Sequence, residues 1–293
     1  MTRGRFAPSP TGRLHFGSLV AALGSWLFAR SAGGRWLVRM EDVDREREVA
    51  GAAAGILATL AAFGLDSDEP VVRQSERTPL YADALARLER AGHAYRCWCS
   101  RSDLTPFAGI HPPACPVGPA ARRPAWRLRV GDATPAFEDL VQGAQRQNLA
   151  REVGDFVIWR ADGACAYQLA VVVDDAAQGI DQVVRGADLL DSTPRQLLLQ
   201  RRLDLPTPAY AHLPLALGSD GRKLSKHEAV LPVDAGDPLP ALRAALRFLG
   251  QAPSPGGSVD AVLSAAARAF DARRIPRTAP APPAFAAARN ASA

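Results

Sequence analysis

Near the start of the chain, one string gathers the residue types that phosphate chemistry needs: Arg5-Phe6-Ala7-Pro8-Ser9-Pro-Thr-Gly-Arg-Leu-His15-Phe-Gly17-Ser18. A strand that runs through a glycine turn into a helix aims unpaired helix N-terminal amides at an anion. His15 and Gly17 suit a triphosphate in that position. Glycine admits close approach of the backbone, and an imidazole can donate to phosphate oxygens as charge builds in a transition state. A second string, Gly218-Ser-Asp-Gly-Arg-Lys223-Leu-Ser225-Lys226-His227, follows much later and holds the only two lysines among 35 Lys and Arg residues. Where a generic cation would serve, this chain uses arginine. Two lysines three apart therefore mark places where a compact ammonium on a flexible stem does what a planar guanidinium cannot. A glycine-flanked loop carrying them can close over polyphosphate and stabilise a pentacoordinate α-phosphate.

A third group is Cys97-Trp-Cys99, then His111 and Cys115. Three thiolates and an imidazole complete a closed, tetrahedral structural zinc site. Under reducing conditions such thiols favour zinc over disulfides, although the Cys-x-Cys spacing is tighter than usual. The remaining cysteine, Cys165, stands in an apolar stretch beside Tyr167 and reads as packing.

The elements that must position these groups follow from the pattern. Residues 3 to 9 read as a strand, and Leu14, Leu19, Leu23 and Leu27 repeat at helical spacing behind the turn. Trp36 to Met40 reads as a second strand ending in the acidic Glu41, Asp42 and Asp44, and Ala50 to Phe63 as an alanine-rich helix closed by Gly64. Alternating strands and helices imply a parallel sheet. From Tyr95 the pattern changes to a Pro/Gly-rich loop with short strands at 125–130 and 156–159. Tyr167 to Val173 reads as a buried strand, Pro194 to Leu203 as a helix, and Leu239, Leu242, Leu246 and Leu249 mark a last amphipathic helix.

The first two strings resemble the HIGH-type and KMSKS-type signatures of class I aminoacyl-tRNA synthetases. Arg5-Phe-Ala-Pro-Ser-Pro-Thr-Gly with Met40-Glu-Asp-Val-Asp44 resembles their glutamyl branch, and Leu14-His-Phe-Gly-Ser-Leu-Val-Ala-Ala-Leu-Gly-Ser with Gly34-Arg-Trp-Leu-Val-Arg39 resembles its short paralogues. Similarity runs from Arg3 to about Glu228; the 65 residues beyond leave no room for the large anticodon-binding region of a full-length enzyme. Those short paralogues attach glutamate to queuosine in the anticodon of tRNA(Asp).

This resemblance implies a Rossmann-like α/β catalytic domain with a zinc-containing insertion and a small helical C-terminal region. The expected organisation is 1–94 and 163–212 as the catalytic halves, 95–162 as the insertion, 213–272 as the Lys-Leu-Ser-Lys loop with the helical region, and 273–293 as a disordered tail. It implies a glutamate pocket of Arg5, Phe6, Ala7, Pro8, Ser9, Glu41, Tyr167 and Arg185. An arginine fork there would hold a carboxylate, and Glu41 an ammonium. It assigns ATP to His15, Gly17, Ser18, Lys223, Ser225 and Lys226, with His15, Lys223 and Lys226 catalytic and magnesium entering with ATP.

In the resembling family a Cys-x-Cys with a later Tyr-x-x-x-Cys binds zinc, and here His111 falls on the tyrosine position. Three further positions depart from the pattern. Ser18 replaces the second histidine of the first signature, His227 the terminal serine of the second, and Val171 stands where many glutamyl enzymes carry asparagine.

With 47% hydrophobic and 22% charged residues, the 293-residue chain can bury a sizeable core, and its net charge of +5 favours a polyanionic partner. The apolar stretch from Leu19 to Ala29 is too short to span a bilayer, and no secretory pattern opens the chain. The expectation is a cytoplasmic monomer acting on ATP, L-glutamate and queuosine-bearing tRNA(Asp), away from membranes. A shortened synthetase charging tRNA(Glu) and a non-catalytic RNA-binding paralogue stay open as alternatives.

Overall fold

The structure, a computed structural model, describes residues 1–216 and 233–278. Lys223, Ser225, Lys226 and His227 lie outside the described residues, as do residues 279–293 of the expected tail.

The chain opens with β1 (Arg3–Phe6), α1 (Phe16–Ser31) and β2 (Arg35–Met40), then α2 (Ala52–Ala62), β3 (Val72–Arg73) and α3 (Thr78–Arg90). It continues through β4 (Ala94–Cys97), β5 (Ala125–Leu128), β6 (Ala136–Asp139), β7 (Gly143–Arg146), α4 (Leu149–Glu152) and β8 (Phe156–Trp159). The second half brings α5 (Tyr167–Ala177), β9 (Gln182–Gly186), α6 (Thr193–Leu203), β10 (Ala209–Leu213), α7 (Pro238–Phe248) and α8 (Val259–Ala269).

The main sheet has the order β3-β2-β1-β9-β10-β6-β7, parallel throughout except for the last pair, and β4-β5-β8 form a separate antiparallel sheet. Strands buried on both faces read as continuous apolar runs, as Trp36-Leu-Val does in β2. Alternate residues serve opposite layers: Val38 and Val184 join the core under α1, while Leu37 and Val183 face α6. Helix α1 is buried nearly all round, because the sheet covers one side and α7 and α8 the other. A second core packs α3, α5 and α6 against the small sheet.

Two sequence expectations need correction. Tyr167 to Val173 is the start of a helix and not a strand. A short apolar run does not distinguish a buried strand from a buried helix, and here α5 is wedged among α3, α6 and β8, so consecutive residues from Leu169 to Val172 are all buried. Leu239 to Leu249 is not the last helix either, since α8 follows behind a Ser258 cap whose hydroxyl accepts the N–H of Ala261. The stretch 136–146 also does more than connect the small sheet. Its hairpin β6–β7 extends the main sheet beside β10.

Candidate active site and metal-ligand cluster

Strand β1 lies between β2 and β9, so the strand order reverses there and a crevice opens at the carboxyl ends of the strands. A cavity of about 570 Å³ occupies that crevice. Its walls include Arg5, Phe6, Ala7, Pro8 and Ser9 from the end of β1, Glu41 from the end of β2, and Tyr167 and Arg185 from α5 and β9. His15, Gly17 and Ser18 close the same cavity from the start of α1. All eight residues assigned to glutamate and the three described residues assigned to ATP therefore share one space.

At the helix start His15 is the cap: its Nδ1 accepts the Ser18 N–H at 3.2 Å, and its Nε2 lies 3.0 Å from Ser18 Oγ. A Cβ on Gly17 would meet the imidazole at 3.3 Å, tighter than ordinary contact, so glycine lets the ring lie against the first turn.

Below the cavity runs a chain of buried ion pairs that sequence reasoning missed. Arg5 Nε donates to Asp175 at 3.1 Å, and Arg39 Nη1 reaches the same carboxylate at 2.8 Å. Arg39, fully buried, also approaches Glu41 at 3.4 Å and Asp174 at 3.8 Å. Asp174 in turn accepts from Gln74, Arg77 and Tyr81. Burial works to raise Asp175, yet Arg5 and Arg39 outweigh it and hold the carboxyl below its usual range. Burial raises Glu41 despite Arg39 and Arg5. The cavity thus presents one carboxyl, Glu41, whose burial the chain's own cations only partly offset.

Arg185 is held as firmly. Its Nη2 donates to Thr193 and Gln196, both at 2.8 Å, its Nη1 to Tyr167 Oη at 3.2 Å, and its Nε to His212 Nε2 at 3.0 Å. Val171, one helical turn beyond Tyr167, is buried in the second core and is not part of the cavity wall.

The thiol group forms a separate site. The ligand atoms of Cys97, Cys99, His111 and Cys115 all lie within 4.8 Å of one another. Cys97 Sγ is 3.8 Å from Cys115 Sγ and 3.3 Å from His111 Nε2; Cys99 Sγ is 3.4 Å and 3.6 Å from the same two atoms. A tetrahedron with zinc–sulfur bonds of about 2.3 Å requires edges near ~3.8 Å, so the donor set fits such an ion. His111 Nδ1 donates to the Pro112 carbonyl at 2.7 Å, which turns Nε2 inward as an acceptor. Burial and then Arg127 lower the His111 pKa and keep the ring neutral, as a ligand must be. Arg127 Nε also donates to Cys97 Sγ at 3.2 Å. Gly154 makes the fold of this site possible: at φ +69° its Cβ would stand 2.4 Å from the His111 carbonyl. Cys165, buried between β8 and α5, stands apart from the cluster as the sequence suggested.

The family described as tRNA synthetases class I (E and Q), catalytic domain, matches residues 1–107 and 120–257, and the chain belongs to that family. Within it, the chain is 60% identical over 281 residues to the Glutamyl-Q tRNA(Asp) synthetase of Xanthomonas campestris pv. campestris (strain 8004), covering 94% of each chain. The protein of the same name from Burkholderia cenocepacia (strain HI2424) is 54% identical over 294 residues, covering 94% of this chain and 98% of that one. Among solved structures, a glutamate tRNA ligase from Elizabethkingia meningosepticum in complex with its amino acid superposes with a TM-score of 0.78 at 25% identity. The match covers 95% of this chain and 66% of the ligase.

Proposed function

We propose that this protein activates L-glutamate with ATP and transfers the glutamyl group to queuosine in tRNA(Asp). The observation that carries the reading is the single cavity in which the Arg5–Ser9 strand end, Glu41, Tyr167 and Arg185 meet the His15 helix start. Glutamate would place its side-chain carboxylate against the arginines and its ammonium against Glu41, which burial leaves short of a counter-charge. Its α-carboxylate oxygen then attacks the α-phosphorus of ATP, the bond to the bridging oxygen of the β-phosphate breaks, and pyrophosphate leaves. A hydroxyl of the acceptor attacks the adenylate carbonyl, loses its proton and displaces AMP.

Holding the reactants in line removes a large part of the barrier, and the α1 amides with His15 meet the growing phosphate charge. Lys223, Ser225 and Lys226 would supply the remaining phosphate contacts, and magnesium would accompany ATP. Zinc would be held by Cys97, Cys99, His111 and Cys115 as a structural ion for the small sheet.

The names of the relatives support tRNA(Asp) as the acceptor, and the chain's net charge of +5 suits a polyanionic partner. Bases in a single-stranded loop are splayed and readable, and arginines grip the backbone without regard to sequence.

The test is a charging assay with tRNA(Asp) from cells able or unable to make queuosine, beside tRNA(Glu). Glutamate should label only queuosine-containing tRNA(Asp), in a product that survives removal of the 3′ adenosine. Equal labelling of both tRNA(Asp) samples, or preferential labelling of tRNA(Glu), would reject the acceptor.

A further inference from the structure

Arg185 is the best-anchored group in the cavity, and part of its anchorage comes from outside the catalytic halves. His212, on β10, is fully buried beside it, and Asp139, also fully buried, comes from the β6–β7 hairpin. His212 Nδ1 lies 2.6 Å from Asp139 Oδ2, and Asp139 Oδ1 accepts the backbone N–H of His212, Val141 and Gln142 at 3.1, 3.0 and 2.8 Å. On its other side His212 Nε2 meets Arg185 Nε at 3.0 Å and Thr193 Oγ1 at 3.2 Å. A guanidinium nitrogen only donates, so Nε2 must carry a lone pair and the proton must sit on Nδ1, facing the carboxylate.

With Nε and Nη2 spent on His212, Thr193 and Gln196, the guanidinium plane is fixed. Only Nη1, shared with Tyr167 Oη, keeps a hydrogen with no acceptor among the described residues. Arg185 also lies over the Tyr210 ring at 5.5 Å, and that ring stacks on His212.

The geometry points to Asp139 and His212 as positioning residues for glutamate: Asp139 fixes the His212 tautomer, and His212 in that tautomer fixes the direction of Arg185. The inference rests on the reading that Arg185 binds the glutamate carboxylate. It makes the strength of that binding depend on the β6–β7 hairpin, which the cavity itself does not touch. It also makes binding sensitive to acid. The charged groups facing His212 are Asp139 from β6, Arg185 from β9 and Arg5 from β1. Burial first, and then the arginines, hold His212 below the usual histidine range in spite of Asp139. A second proton would replace the acceptor at Nε2 with a donor and set a cation against the guanidinium. Because the folded pKa is depressed, the arrangement is intact above the ordinary histidine range and is lost as pH falls through the lowered value.

Glutamate-dependent exchange of pyrophosphate into ATP, measured on the full chain across pH, tests this. Asp139→Asn offers His212 an amide donor, which favours the Nε2–H tautomer and opposes two donors at Arg185. It should raise the glutamate KM about tenfold, the scale of one lost hydrogen bond to a charged group, while the KM for ATP and the thermal midpoint stay close to those of the parent. His212→Gln places an amide oxygen near the Nε2 position. It should keep the glutamate KM within a few-fold and abolish its rise in acid. An unchanged glutamate KM in Asp139→Asn, a parallel rise for ATP, or the same acid limb in His212→Gln overturns the inference. Arg185→Ala tests the underlying reading separately, since an unchanged glutamate KM there would remove Arg185 itself from the site.

Discussion

The cavity and the Cys/His cluster solve the problem of placing charge inside a protein in opposite ways. In the network beneath the cavity the cations already have anions of the chain, Arg5 and Arg39 sharing Asp175 and the partly exposed Arg77 closing on Asp174, while Arg185 in the cavity wall is held by neutral acceptors. The network exists before any ligand arrives. In the cluster the four donor atoms have mainly one another, and contacts between thiols and an imidazole are weak. The difference leads to an expectation: the parallel sheet should hold its shape alone, whereas the small sheet, packed on its own core, should gain further from an ion held by the cluster.

The largest effect should come from taking that ion away. Apparent binding energies of structural zinc reach about 10–16 kcal/mol, so chelation or Cys97→Ala should strip amide protection from β4, β5 and β8. Hydrogen exchange should show β1 and β9 still protected, and pyrophosphate exchange should persist. Loss of protection in both sheets together would break the comparison.

On the cavity side, Asp175→Ala should cost about 3–5 kcal/mol in urea unfolding, because it leaves Arg5 and Arg39 buried without their shared partner. A cost under about 1 kcal/mol would mean that water or neighbouring acids already serve those guanidinium groups. The smallest effect belongs to Gly154→Ala. Its positive φ and the His111 carbonyl 2.4 Å from the new Cβ should cost about 1–3 kcal/mol. The loss should appear as weaker metal retention on competition with a chelator, with the glutamate KM unmoved.

What could be read from the sequence divides along the same line. The turn into α1 and the Cys/His group are local: their chemistry lies in residue identity and short spacing, and the structure assembles the described members of both. The ion-pair chain joins residues far apart, Arg5 to Asp175 and Arg39 to Asp174, and periodicity is blind to such partners. A signal was nonetheless present. Arg39 is a charge inside an apolar strand, and Asp174-Asp175 is an acidic pair closing an apolar run. A buried charge requires an opposite charge, so the two should have been matched. Misreading α5 as a strand hid the match, because a helix is what carries Asp174 towards Arg77 and Tyr81 while Asp175 faces Arg5. The Asp139 contact was hidden for another reason: its hairpin sits in a stretch assigned as a separate insertion.

The burial of α1 has a consequence for how the chain is made. Phe16 packs edge-on against Phe248 at 6.0 Å, and Phe28 against Phe270 at 5.0 Å, so α1 is roofed by α7 and by the residue that ends α8. Synthesis runs at roughly 5–20 residues per second, which leaves that apolar helix without its cover for on the order of ten to forty seconds after it emerges. Helix α1 is therefore made early but completes its packing only once α7 and α8 have followed it out of the ribosome.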